Sequence, residues 1–166
     1  FPRIVSQSRK QMKDVEFTAQ LILLLEEGPR GLSQAELDDA FSVRDETWER
    51  RTSIEDRFRR VIDAIAALVS APGGAGLEET RLRNQADFYS LFGAVAAMLD
   101  AGQAVEASSM ATRLRAFVNL VEDDTNRANN KPANDYYQAA RSASNDKTPR
   151  ETRIAIVRGV LAGTNA

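Results

Sequence analysis

The side chains that most often carry catalytic chemistry are missing from this chain of 166 residues, which contains no His and no Cys. Without an imidazole or a thiolate, neither a Ser–His or Cys–His pair nor a zinc site with His or Cys ligands can form within it. Acid–base chemistry would fall to carboxylates, Lys or Tyr. We therefore predict no metal ion and no cofactor, and we expect this chain itself to be non-catalytic.

A carboxylate-based enzyme is the remaining catalytic alternative. Four acidic residues gather ahead of a predicted long helix, at Asp38, Asp39, Asp45 and Glu46. Two such carboxylates could act as acid and base. Acidic residues near helix ends, however, are typically solvated and interact favourably with the helix dipole. We favour this structural interpretation, and whether a longer protein containing the chain is an enzyme stays open.

The basic residues offer a second kind of chemistry. The net charge of -2 gives no general attraction to nucleic acid or to an anionic membrane, although 18 of the 22 basic residues are Arg. Basic residues gather around a turn at 144–148, namely Arg141, Lys147, Arg150 and Arg153. The next helix would add free backbone N–H groups, so this cluster is the predicted nucleic-acid or phosphate-binding patch. The alternative is that these arginines pair with carboxylates of neighbouring helices.

Polar residues beside an apolar helix face suggest a third site. Asn84 and Asp87 lie next to a strongly apolar stripe, where they would either hydrogen-bond neighbouring helix ends or line a pocket with Tyr136. Tyr136 and Tyr137 could also stack on nucleic-acid bases. Because adjacent residues on a helix point about 100° apart, we expect one tyrosine in the core and the other partly exposed.

The element that must position these side chains is a predicted helix over 83–101. Its apolar residues recur at helical spacing on one face, and small residues cover the other, among them Ser90, Gly93 and Ala94. A helix of this kind is buried on both sides, with a second helix approaching its small face. We predict that it is the centre of the domain.

Apolar periodicity predicts helices elsewhere in the chain, and capping boxes at Ser8 with Gln11 and at Ser33 with Glu36 mark the starts of the first two. The predicted helices run over 8–27, 33–41, 47–70, 104–122, 135–143 and 148–162. The stretch 71–76 is predicted to be a loop or hinge, and 123–134 a polar loop. Together these features predict an all-α fold, a single bundle-like domain over 1–166 with six or seven helices and no sheet.

Several expectations concern the setting of the domain. The longest apolar run, over 21–25, is far shorter than the ~20 residues of a membrane span, and a cytoplasmic location without membrane contact is predicted. The chain opens at Phe1-Pro2, so we expect a fragment of a longer polypeptide. An apolar face of the first helix would then be exposed where another domain packs.

Three stretches carry a family resemblance. They are the segment 9–24 (Arg-Lys-Gln-Met-Lys-Asp-Val-Glu-Phe-Thr-Ala-Gln-Leu-Ile-Leu-Leu), the segment 83–92 (Arg-Asn-Gln-Ala-Asp-Phe-Tyr-Ser-Leu-Phe), and Tyr136-Tyr137 with the later Ser-Asn-Asp turn. They resemble the helical C-terminal region of GmrSD-type proteins, the ParB-like "domain of unknown function 262" family. The resemblance implies a bacterial protein linked to DNA restriction and phage defence.

The same resemblance assigns catalysis to other domains of such proteins. Their chemistry belongs to an N-terminal ParB-like domain with an Asp-Gly-Gln-Gln-Arg motif, and in some members to an HNH nuclease domain. This chain has neither, so no catalytic residue carries over. The resemblance implies a helical accessory domain whose partner is the N-terminal catalytic domain, with DNA and a second copy of the chain as further candidates. The alternative is a free-standing protein–protein interaction module.

Overall fold

The computed structural model describes residue 2 and residues 12–31 and 33–164. Within these ranges it contains eight α-helices and no strand, so the predicted all-α class is confirmed. The helices are α1 (Lys13–Glu27), α2 (Gln34–Glu46), α3 (Arg51–Ser70), α4 (Gln85–Asp100), α5 (Ala107–Glu122), α6 (Asp124–Ala128), α7 (Lys131–Arg141) and α8 (Lys147–Ala162). The capping signal expected at Ser8 and Gln11 lies outside the described residues.

Helix α4 is the centre of the domain, as predicted. Every residue from Asp87 to Ala96 is buried, and helices α1, α3 and α8 pack around it. The small face admits a neighbour at Gly93, where an added Cβ would lie 2.6 Å from Cδ1 of Ile154 and 3.3 Å from Cδ2 of Leu24. Helices α5 and α7 complete the bundle by packing on α8.

The start of α2 confirms a predicted capping box. Ser33 Oγ accepts a 3.3 Å hydrogen bond from the Glu36 backbone N–H, and Glu36 Oε2 accepts a 2.7 Å bond from the Ser33 N–H. That backbone bond holds the pKa of Glu36 below its usual value. The helix continues to Glu46, beyond the predicted end at Phe41, and a late residue, Arg44, ties it to α1 through Glu26 and Glu27.

The polar segment 123–134 was predicted to be a loop, and this prediction is wrong, because two helices occupy most of it. Asp123 caps α6 by accepting backbone N–H bonds from Thr125 and Asn126, both at 3.0 Å. Asn130 caps α7 through a 2.9 Å bond from the Ala133 N–H, with Pro132 following in the first turn. The Asn and Asp residues that suggested a loop therefore act as helix caps, for which they are equally suited.

The predicted loop 71–76 is present and is anchored to α5. Arg115 Nε donates a 3.1 Å hydrogen bond to the Gly73 carbonyl, and Gly74 packs so closely that a Cβ there would lie 2.0 Å from the Leu68 carbonyl oxygen. Two short 3₁₀ turns, Leu77–Glu79 and Arg81–Arg83, then lead into α4.

The outer face of α3 is tied to the core at one point. Arg57 donates hydrogen bonds to both carboxylate oxygens of Asp100 and to the Leu25 carbonyl. One side chain thus joins α3 to the ends of α4 and α1.

Across the described ranges, no helix is both long and apolar enough to cross a membrane.

Candidate functional site

Two of the four cations of the predicted phosphate-binding patch, Arg150 and Arg153, are buried. Arg150 is 3% exposed and stacks over Tyr89, with its guanidinium carbon 4.2 Å from the ring centroid. Its terminal nitrogens donate hydrogen bonds to the Arg30 carbonyl at 2.8 Å and to Gln20 Oε1 at 2.6 Å. Arg150 therefore joins α8 to α1 and to the loop that follows α1.

Arg153 is more deeply buried, at 0% exposure. It donates to Ser90 Oγ at 2.9 Å, to the Ala139 carbonyl at 2.5 Å and to the Ser144 carbonyl at 2.8 Å. Burial lowers the pKa of its guanidinium below the usual value. With all three nitrogens engaged inside the protein, Arg153 is closed to an external phosphate.

The other two residues of the predicted patch lie at the surface and are separately engaged. The guanidinium carbon of Arg141 lies 5.2 Å from the ring centroid of Tyr137, and Lys147 forms a 3.8 Å ion pair with Glu151. The alternative drawn from the sequence, in which the arginines tie helices together, describes Arg150 and Arg153 better. Their acceptors are mainly carbonyl and amide oxygens, however, and not carboxylates.

The predicted pocket residues form one hydrogen-bonded cluster, in which Asp87 and Tyr136 are buried and Asn84 is exposed. Asp87 is 2% exposed and accepts bonds from Tyr136 Oη at 2.7 Å, Arg81 Nε at 3.1 Å and Asn84 Nδ2 at 3.3 Å. Burial and the neighbouring charge of Asp87 raise the pKa of Tyr136 well above its usual value. Because the four polar groups satisfy one another, the cluster fixes α7 against the start of α4.

The two adjacent tyrosines divide as predicted. Tyr136 is buried with its ring edge-on to Phe117, and Tyr137 is partly exposed. The guanidinium carbon of Arg127 lies 3.5 Å from the Tyr137 ring centroid. The Arg127 side chain also donates a hydrogen bond to the Val121 carbonyl. Tyr137 already stacks against an arginine, so it is not an open platform for a base.

An apolar groove between α1 and α2 is the feature best suited to binding. It has a volume of about 710 Å³ and is open to solvent. Its apolar lining comes from both helices, through Met12, Val15, Ala19, Ile22, Leu37 and Phe41. Met12 and Val15 are 62% and 54% exposed, which agrees with the apolar face expected on the first helix.

The groove continues beyond α2. A second cavity of about 220 Å³ shares Thr18 and Ile22 with the first and extends to Trp48 and Phe58. The apolar surface of α1 is thus accessible along one side of the helix. A contiguous exposed apolar patch rimmed by polar residues commonly marks a binding surface.

The polar rim of this groove is acidic. Asp14, Glu16 and Asp38 line the part between α1 and α2, where no described Lys or Arg does, whereas the second cavity is lined by Arg59 and its ion-pair partner Glu55. Asp14 Oδ1 is buried and has no hydrogen-bond partner in the described part of the chain.

Helix α2, which forms one wall, is attached through few groups. Leu37 is its one buried residue within the described ranges. Arg44 pairs with Glu26 at 2.8 Å and Glu27 at 2.6 Å, and Trp48 Nε1 lies 3.4 Å from Glu26 Oε1. Burial would raise the pKa of Glu27, but hydrogen bonds from Arg44 and Arg30 outweigh it, so the pKa lies below the usual value.

No protein-family model matches this chain, and no curated protein or solved structure is significantly similar to it. The resemblance to GmrSD-type proteins therefore stays a prediction that rests on the sequence segments that suggested it. Segment 9–24 includes three residues, 9–11, that lie outside the described part of the chain.

Proposed function

We propose that this chain is a non-catalytic helical module that binds another polypeptide segment in the groove between α1 and α2. The observation that carries the proposal is the open apolar lining, with Met12 and Val15 more than half exposed beside a buried core. Burying such side chains against a partner is favourable by about 25 cal/mol for each Å² of apolar surface removed from water.

The other polar clusters support a structural and not a catalytic role. The carboxylate of Asp87 is buried and fully hydrogen-bonded, and the cations Arg150 and Arg153 are internal. Within the described ranges, no group of three or more acidic side chains is placed to hold a metal ion. DNA contact at the sequence-predicted patch is accordingly not part of the proposal.

Two settings are compatible with a binding groove. In the first, the module is the accessory domain of a longer, GmrSD-type restriction or phage-defence protein, and the groove holds the catalytic domain of the same polypeptide. In the second, it is a free-standing interaction module that holds a separate protein. The first rests on the sequence resemblance, and the second requires nothing beyond the groove.

Site-specific photo-crosslinking in the native host tests the proposal. A photoreactive amino acid replaces Val15 in the groove and, as the matched control, Val43, which is 71% exposed on α2 but does not line the groove. We expect an adduct at position 15 that is absent at position 43, and mass spectrometry would identify its second component.

The identity of the adduct separates the two settings. A crosslink within one polypeptide longer than 18.3 kDa would support the accessory-domain setting, and a crosslink to a different protein would support the free-standing module. Equal labelling at both positions, or none at position 15, would contradict the proposal.

A further inference from the structure

We infer that the occupant of the groove is an amphipathic helix whose apolar stripe is flanked by Lys or Arg side chains. This inference rests on the proposed function and adds the chemistry of the partner. Two features of the groove support it: its length and the charge of its rim.

The length of the groove suits a short helix. Its lining on α1 runs from Met12 to Ile22, which corresponds to about 15 Å along a helix axis at 1.5 Å per residue. A bound helix of about three turns, with apolar residues at positions i, i+4 and i+7, would match this length. The opposite wall is itself a helix, α2, so the occupant would lie between two helices.

The negative charge of the rim disfavours an occupant whose apolar stripe is flanked by acidic or neutral side chains. Asp14, Glu16 and Asp38 line the groove without a compensating Lys or Arg in the lining, although Lys13 lies 3.8 Å from Glu16 just outside it. The N-terminus of α1 contributes only about half a positive charge. The rim remains negative, and cationic side chains on the occupant would be attracted to it.

Carboxylates on both walls give the charge argument specific positions. Asp14, on α1, is half-buried and lines the groove. Asp38, across the groove on α2, is exposed and accepts one 3.0 Å bond from Gln34. A Lys or Arg on the occupant can reach a carboxylate on either wall.

Selection from a displayed peptide library tests the inference. The library consists of helical peptides of about 16 residues, long enough for a marginally stable helix. Stripe positions sample all residue types, and flanking positions sample Lys, Arg, Glu and Gln. The bait is the whole chain, with Val15→Glu as the variant that blocks the groove and Val43→Glu as its matched control.

We expect the enriched peptides to carry an apolar stripe with Lys or Arg flanks, and to bind Val43→Glu but not Val15→Glu. The double variant Asp14→Asn, Asp38→Asn should weaken their binding by roughly threefold to tenfold. The exposed pair Asp63→Asn, Glu122→Gln, away from the groove, should leave binding unchanged. Higher salt should also weaken binding, because it screens partly exposed charges.

The other results separate failure of the inference from failure of the proposed function. An apolar stripe without a preference for Lys or Arg would overturn the inference and leave the groove as a binding site. If no peptide is enriched in a way that depends on Val15, both the inference and the proposed function are overturned. A dimer in sedimentation analysis that dissociates on Val15→Glu would identify a second copy as the occupant and overturn the inference.

Discussion

The hydroxyl of Tyr136 donates a 2.7 Å hydrogen bond to Oδ1 of Asp87, although the two residues lie 49 positions apart in the sequence. The bond is buried, and the same carboxylate accepts from Arg81 and Asn84. A buried carboxylate is stable only when donors surround it. The position of α7 against α4 is therefore fixed by polar groups as well as by apolar packing.

Tyr136→Phe should destabilise the protein by about 1–3 kcal/mol, because it removes one donor from a buried carboxylate and leaves the shape of the ring unchanged. Urea denaturation measures the change in the free energy of unfolding. Tyr137→Phe is the matched control, with an expected change within about 0.5 kcal/mol since its hydroxyl is on a partly exposed residue. Equal losses for the two variants would contradict the role given to Asp87.

The raised pKa of Tyr136 predicts a loss of stability at high pH. The unfolded chain releases this proton near the ordinary tyrosine pKa of about 10, whereas the folded protein retains it to higher pH. The stabilising contribution is complete below pH 10 and is lost as the pH rises above that value. We expect the stability advantage of the wild type over Tyr136→Phe to be constant up to about pH 9 and to shrink as the pH rises beyond about 10 in urea titrations. A difference in the free energy of unfolding between the two proteins that stays constant with pH would contradict the raised pKa of Tyr136.

Arg153→Lys should cost about 2–4 kcal/mol in the free energy of unfolding, despite retaining the charge. The planar guanidinium bonds Ser90, Ala139 and Ser144 together, and a Lys ammonium cannot match this geometry. Arg158→Lys, at an exposed position of the same helix, is the control, and its effect should stay within about 0.5 kcal/mol. Comparable effects at the two positions would show that the three bonds contribute little.

The buried charges show where sequence reasoning succeeds and where it falls short. The apolar spacing of α4 and its small residue Gly93 were sufficient to predict a central helix, because burial imposes both patterns. The grouping of Arg150 and Arg153 around the 144–148 turn, at the start of a helix, favours a surface patch when only the sequence is considered. Their spacing carried a contrary signal, since they fall in register with Ile154 and Val157 on the buried face of α8.

Asp87 is likewise in register with buried apolar residues, because it precedes Phe88 and lies four positions before Leu91 on the buried surface of α4. A charged residue in register with an apolar stripe indicates a buried polar cluster. The sequence groups Asn84 and Tyr136 with Asp87, but the direct hydrogen bonds between them, and the bond from Arg81, depend on how the helices pack. The groove was anticipated only as an apolar face on the first helix, because its second wall depends on where α2 lies.

Gly93→Ala should destabilise the protein by about 1 kcal/mol, which is the net of two opposing effects. Alanine favours the helix by about 1 kcal/mol over glycine, but the new methyl would lie 2.6 Å from Cδ1 of Ile154, and overpacking costs about 1–3 kcal/mol. In an Ile154→Val background, which lacks Cδ1, the same change should be less costly. A double-mutant cycle measures this coupling, and additive effects would contradict the close approach of α4 and α8.

Arg44→Ala should loosen α2 while leaving the core intact, because Arg44 supplies the ion pairs to Glu26 and Glu27 and Leu37 is the buried residue of the helix. Losing about 1 kcal/mol of local stability would speed amide hydrogen exchange in α2 about fivefold. Exchange in α4 should not change, because α4 opens only with the whole domain.

Arg51→Ala is the control for that experiment, since Arg51 forms a 2.8 Å pair with Glu55 on α3 and its side chain is 69% exposed. It should leave exchange in α2 unchanged. Faster exchange in both α2 and α4 on Arg44→Ala would show that the helix is integral to the core, and unchanged exchange would show that the ion pairs do not hold it. Selective opening would mean that the second wall of the groove can move, so that an occupant larger than about 710 Å³ could be admitted.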